Sequence, residues 1–199
     1  MHPNAAFAWD DTEALRAFAQ DIGFGTLFMA TPEGPRVAHL PFVFLAEERI
    51  GFHIARNNVM AQYLDGAEAL FVVNGPDGYI SPDWYGMDNQ VPTWNYCALE
   101  MQGNVRQMTE AELIAQSDAL SLFQETKLAP KPLWDRSKMA DGYFEKMLRG
   151  ILGFHMDITA WRGTCKLGQN KPDAARNAAA DGAEQAGKAD IADLMRHLP

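Results

Sequence analysis

The chain has 199 residues, is 47% hydrophobic and 11% aromatic, and carries a formal net charge of −9. That length and apolar content suit one domain with a real core plus at most a small appendage. The acidic balance and the absence of a Lys/Arg cluster argue against direct nucleic-acid binding, which needs a basic face to replace counterions, and no apolar run approaches the ~20 residues of a membrane span.

In chain order, Asp10 with Glu13 three residues on, followed by Leu15, Phe18 and Ile22, predicts a capped helix ended by Gly23 and Gly25. Thr26 to Ala30 reads as a strand, Pro32-Glu33-Gly34-Pro35 as a turn. Val37 to Leu45 is apolar on both faces, the pattern of a barrel wall with something packed outside it, for which a second subunit would serve. Ile50, Phe52 and Ile54 alternate with Gly51, His53 and Ala55 as a half-buried strand. Asn57 to Leu64 is expected as a short helix and Ala69 to Val73 as a strand. Thr93 to Met108 alternates for about ten residues, marking a long antiparallel strand. Thr109 and Glu112 form a capping box, and the helix they open buries Leu113, Leu120 and Phe123. A short helix from about Gly142 to Leu148 precedes a strand pair, Ile151 to Trp161 and Gly163 to Leu167. The Ala-rich stretch from Pro172 to Ala189 reads as a mobile linker, although alanine also permits helix, and Ile191, Leu194, Met195 and Leu198 as one face of a last helix. The sum is a mainly β fold, an antiparallel barrel with peripheral helices over 1–171, and a tail over 172–199.

Cys97 and Cys165 stand far apart with no Cys-x-x-Cys, and read as two reduced thiols of a cytoplasmic protein. The opening residues lack a signal-like apolar stretch. The five histidines fall in no zinc-type spacing, so no metal is expected.

Four blocks carry candidate chemistry. His53-Ile54-Ala55-Arg56-Asn57-Asn58 places a cation and two amides where a strand ends and a helix is expected, which suits a phosphate; a capped turn with a solvated arginine is the plain reading. Gly78 to Tyr85 and Val91 to Tyr96 concentrate aromatics, and Trp94, Asn95 and Tyr96 suit the wall of a planar cofactor or, equally, a core. Lys166-Leu167-Gly168-Gln169-Asn170-Lys171 flanks amides with cations, as an anion site or a polar turn does. His39-Leu40-Pro41 sets a donor-less proline in a strand, marking an edge or bulge.

The order His39-Leu40-Pro41-Phe42, His53-x-Ala55-Arg56-x-Asn58, Tyr79-Ile80-Ser81-Pro82-x-Trp84-Tyr85, Val91-Pro92-Thr93-Trp94-Asn95-Tyr96 and Lys166-Leu167-x-Gln169-Asn170 resembles the PaiB-type "FMN-binding negative transcriptional regulator" family, over residues 1 to about 171. The opening Met1-His2-Pro3 with Phe7 also looks like the family's start. The resemblance implies an FMN-binding split β-barrel like that of pyridoxamine-phosphate oxidases, and a homodimer with FMN at the interface. By that analogy Arg56, Asn57 and Asn58 meet the phosphate, His39, Leu40 and Pro41 run beside the ring, and Trp94, Asn95, Tyr96, Lys166 and Gln169 complete the pocket, some from the other subunit. Two departures stand out. Gly168 replaces the family's serine and Lys171 its arginine, which removes a hydroxyl and a fork-shaped donor and is expected to weaken phosphate binding.

Three functions follow as alternatives: an FMN-binding regulator or redox sensor that acts indirectly, an FMN-dependent oxidoreductase using NAD(P)H, or a flavin-free module that binds, for example, haem through His39 or His53. No catalytic residue is assigned.

Overall fold

A computed structural model describes residues 3–199, so Met1 and His2 of the opening motif lie outside the described residues. The described residues form seven strands, β1 (Ala8–Trp9), β2 (Phe24–Thr31), β3 (Gly34–Ala46), β4 (Arg49–Ala55), β5 (Glu68–Ile80), β6 (Thr93–Gln107) and β7 (Ile151–Lys166), with six α-helices, α1 (Thr12–Ile22), α2 (Ala61–Leu64), α3 (Glu110–Thr126), α4 (Tyr143–Leu148), α5 (Asp173–Gln185) and α6 (Ala189–Arg196). The sheet order is β1-β7-β4-β3-β2-β5-β6, and β6 pairs back onto β7, so six strands close a ring. Closure removes the exposed edges that an open sheet would present. The predicted mainly β barrel with peripheral helices is what forms.

The chain divides into two compact units, Ala19–Val72 with Met101–Ala160, and Met1–Phe18 with Val73–Glu100 and Trp161–Pro199. In the first, the hairpin β2–β3 registers Thr26 on His39 and Phe28 on Val37, and β4 continues with Phe42 on Phe52. The period-two alternation turns Leu27, Leu40, Phe42, Ile50, Phe52, Ile54, Phe71, Met101 and Phe154 inward, all nearly or fully buried. Phe42 meets Phe71 edge to face at 5.0 Å between centroids, and Phe52 stacks on Phe154 at 6.1 Å. The outward faces of β2 and β3 leave Phe24, Phe28 and Val37 40–51% exposed. The predicted capping box holds, since Thr109 Oγ1 accepts from the Glu112 amide while the Glu112 carboxylate accepts from the Thr109 amide.

In the second unit, Ile80, Tyr85, Leu167, Ala175, Ala179, Ala180, Ala183, Ile191 and Met195 form the core. The four alanines lie on one side of α5, and their small size lets the helix pack closely.

Five sequence readings change. The first helix is capped by Asp11, whose Oδ1 accepts from the Ala14 amide at 3.0 Å, rather than by Asp10. Asn57 to Leu64 is helical only in its second half, Ala61–Leu64, and begins as a turn in which the Asn58 side chain accepts from the Met60 amide at 2.9 Å. The last two strands are one 16-residue strand. The expected mobile linker is the helix α5, held by the alanine contacts above, not by large apolar residues. Cys97 and Cys165 are joined as a disulfide across 68 residues of sequence, where the sequence predicts reduced thiols. Sequence distance misleads there because both cysteines lie on long strands that pair as neighbours.

Candidate functional site

The eleven residues singled out from the sequence fall into two sets, one in each unit. The first set is His39, Leu40, Pro41, Arg56, Asn57 and Asn58. His39 points outward from β3 and its Nδ1 shares a hydrogen bond of 3.0 Å with Thr26 Oγ1 on the paired strand. Leu40 points inward and is buried, so its side chain belongs to the barrel core and only its backbone faces the wall. Pro41, cross-strand from Phe24, is half-buried and lines a cavity with Gly23, Leu120, Gln124 and Trp134.

Arg56 leaves β4 beside the start of β7. Its Nε donates to the Arg149 carbonyl at 2.9 Å and one terminal nitrogen to the Ile151 carbonyl at 3.3 Å. These two anchors fix the guanidinium plane at a cavity of about 430 Å³ whose wall also includes Gln107, Thr109, Glu110, Glu145 and Arg149. The two arginines balance the two carboxylates there. Asn57 is exposed, and Asn58 is spent on the turn. The four-residue α2 supplies no helix-dipole site, so the exposed polar groups at this end are the Arg56 guanidinium and the Asn57 carboxamide.

The second set is Trp94, Asn95, Tyr96, Lys166 and Gln169. Trp94 is half-exposed, donates from Nε1 to Asp77 Oδ1 at 2.8 Å and meets Tyr79 edge to face. Tyr96 is partly buried. Asn95 faces inward, is 1% exposed, and its carboxamide meets no partner among the described residues. An unpaired buried amide costs on the order of 1–3 kcal/mol, so this position invites a water or a ligand edge. Lys166 Nζ donates to Thr93 Oγ1 and, at 3.0 Å, to the Trp94 carbonyl. Burial, and then the nearby charge of Lys171, hold its pKa below the ordinary lysine value.

Gln169 is occupied at both ends. Its Oε1 accepts from the Leu167 amide at 2.7 Å and its Nε2 donates to the Cys165 carbonyl at 2.5 Å. The carboxamide thus satisfies two backbone groups of β7 as a residue of a neighbouring strand would. At the first departure from the family pattern, Gly168 has a left-handed φ of +82°, which glycine adopts without strain. At the second departure, Lys171 donates to Gln90 Oε1 at 2.6 Å and lies over the Tyr85 ring. The sequence missed Thr26, Thr93 and Asp77, which hold His39, Lys166 and Trp94; cross-strand pairing, invisible in local pattern, brings each to its partner.

Comparison with known proteins identifies the family and the fold. Residues 1–160 match the family model described as "Putative FMN-binding domain". Protease synthase and sporulation protein PAI 2 of Bacillus subtilis is 32% identical over 170 residues, spanning 83% of this chain and 80% of that protein. An uncharacterized protein of Aspergillus fumigatus is 26% identical over 94% of this chain and 92% of its own. Among solved structures, the flavocytochrome Anf3 of Azotobacter vinelandii (14% identity, 83% of this chain and 72% of that one, TM-score 0.59) and the FAD and haem binding protein of Mycobacterium smegmatis (16% identity, 80% and 73%, TM-score 0.57) share the fold. The chain therefore belongs to the FMN-binding domain family, with the flavin-binding split-barrel fold and a PaiB-type relative in Bacillus subtilis.

Proposed function

We propose that this protein is a homodimeric FMN-binding redox sensor that acts on gene expression through a partner and not by contacting DNA itself. The observation that carries it is the outer face of β2 and β3. There Phe24, Phe28 and Val37 stand half-exposed around the His39–Thr26 pair, on the strand that carries the ring-side residues His39 and Pro41. An apolar sheet face of this kind in an acidic chain suits burial against a second copy, with the flavin at the junction.

The donor set fits FMN. Arg56 has one terminal nitrogen not used in its two carbonyl bonds, and Asn57 stands exposed beside it, as a phosphate requires. Lys166 and Lys171 offer ammonium groups of the kind that steady an electron-rich ring edge. FMN, when bound, supplies one- and two-electron redox chemistry. The chain's own residues orient and shield it. The net charge of −9 favours an indirect route to transcription.

The test is a visible spectrum of the protein after adding FMN and removing the excess, with light scattering to count subunits. Retained flavin bands and a dimer mass, both reduced in Val37→Glu, support the reading. A colourless monomer overturns it. Tight, salt-sensitive, sequence-specific DNA binding by the pure protein overturns the indirect route.

A second reading, an FMN-dependent oxidoreductase, is favoured by the cavity beside Pro41, which offers room for a small substrate. Rapid NADH or NADPH oxidation by the FMN-loaded protein would select it.

A further inference from the structure

The cavity at the end of α1 is bounded on the strand side by Phe24 and Pro41, on the helix side by Leu120, Ser121 and Gln124 of α3, and by Trp134 from the segment that follows α3. Its volume is about 480 Å³, within the range of small-molecule sites. Two pairings hold its rim. Glu125 accepts from the Trp134 amide at 2.9 Å and from Lys131 Nζ, which ties the Trp134 segment to α3. Lys127 bonds the Asp21 carbonyl and lies 3.7 Å from the Asp21 carboxylate, which ties α3 to the end of α1. Each rim charge thus already has a counter-charge, and the cavity offers no net charge to a ligand.

The polar groups that remain are neutral and can each donate or accept. The Ser121 hydroxyl and the Gln124 carboxamide make no side-chain hydrogen bond among the described residues. Gly23 makes room for that carboxamide: a Cβ at Gly23, whose φ is +64°, would come within 2.6 Å of Gln124 Nε2. The wall is thus aromatic and aliphatic and neutral overall, with two placed groups able to donate a hydrogen bond.

We propose that this cavity is a second ligand site, for a flat, neutral aromatic molecule of one or two fused rings bearing a carbonyl oxygen. Phe24, Pro41, Leu120 and Trp134 pack against the ring faces and edges, and Ser121 and Gln124 donate to the oxygen. A dicarboxylate or a phosphate is rejected because no unpaired cation lines the wall. The site shares Pro41 and Phe24 with the face proposed to meet the flavin and a second copy, while Ser121, Gln124 and Trp134 stand outside that set, so it goes beyond the flavin reading.

The probe is coumarin, a neutral two-ring lactone, titrated calorimetrically into FMN-free and FMN-loaded protein. Saturable binding to both forms is expected, weakened about tenfold or more in Gln124→Leu and again in Trp134→Ala, which corresponds to at least one donor bond or ring contact. Gln124→Leu replaces a partly exposed side chain on the helix surface and keeps the fold, which a circular dichroism melt checks. Absence of saturable binding, or binding unchanged in both variants, overturns the proposal. Displacement of coumarin by FMN also overturns it, since the cavity then belongs to the flavin ring. Coumarin binding to a protein that takes up no FMN sustains this site while the flavin reading fails.

Discussion

Lys166 donates to the main-chain carbonyl of Trp94 at 3.0 Å, so the one strongly placed ammonium of β7 is bonded to the first residues of β6. Burial is the larger cause of its lowered pKa and the Lys171 charge the smaller. The sign follows from linkage. The folded state holds the proton less tightly than the unfolded chain, so stability rises with pH from the lowered folded pKa up to the ordinary value of 10.5. Urea unfolding midpoints measured across that alkaline window are expected to rise in the native chain, and the rise is expected to disappear in Lys166→Met. A Lys166→Met curve parallel to that of the native chain would show that another group carries the slope.

Arg56 illustrates how a structural anchor and a ligand donor share one side chain. Two of its nitrogens bond carbonyls next to and within β7, so its orientation is set before any ligand arrives. Arg56→Ala removes a charge-assisted donor whose loss costs about 1.5–3 kcal/mol, or roughly 10- to 150-fold in FMN affinity. Arg56→Lys keeps the charge but not the fork, and is expected to fall between the two. Flavin fluorescence titration measures both. Equal affinity in Arg56→Ala and the native chain would remove Arg56 from the phosphate site.

The barrel was legible in the sequence because its signals are local. The alternation of Ile50, Phe52 and Ile54 and of Cys97, Leu99 and Met101, the capping box at Thr109, and the spacing of Ile191, Leu194 and Met195 each appear within a few residues and each proved correct, whereas Leu198, expected on the same face, lies past the end of α6 and is exposed. What stayed hidden depends on pairings distant in sequence. Gln169 looks like a ligand until β7 is seen to use both ends of its carboxamide. The alanines of α5 look like a linker because each buries little area, and only their common side shows a helix packed on a core. The FMN assignment itself came from the combination of blocks and not from any single one.

The Cys97–Cys165 bridge closes a sequence separation of 68 residues. Chain-entropy arguments assign such a loop about 4 kcal/mol of stability, chiefly by restricting the unfolded chain. Both sulfurs belong to residues that are 1–2% exposed, so a thiol assay on the native protein is expected to find no free cysteine. Unfolding in the presence of a phosphine reductant is expected to give a lower denaturant midpoint than unfolding without it, and a double Cys97→Ser, Cys165→Ser variant to match the reduced midpoint. Two titratable thiols in the freshly unfolded, unreduced protein would refute the bridge.

Gln169 separates fold from site most sharply, because the family resemblance places it in the flavin pocket while both of its polar atoms are bonded to β7. If its main task is to satisfy the Leu167 amide and the Cys165 carbonyl, Gln169→Leu leaves both unpaired beside buried Cys165 and Leu167 and costs about 1–3 kcal/mol of stability. Gln169→Glu keeps the acceptor for the Leu167 amide but sets a carboxylate against the Cys165 carbonyl, so it is expected to be no better tolerated than the leucine. FMN affinity is expected to change less than stability in both variants, measured at a temperature where each remains folded. A large affinity loss with an unchanged melting temperature would instead mean that the carboxamide leaves β7 when the flavin binds, and would return Gln169 to the set of ligand donors.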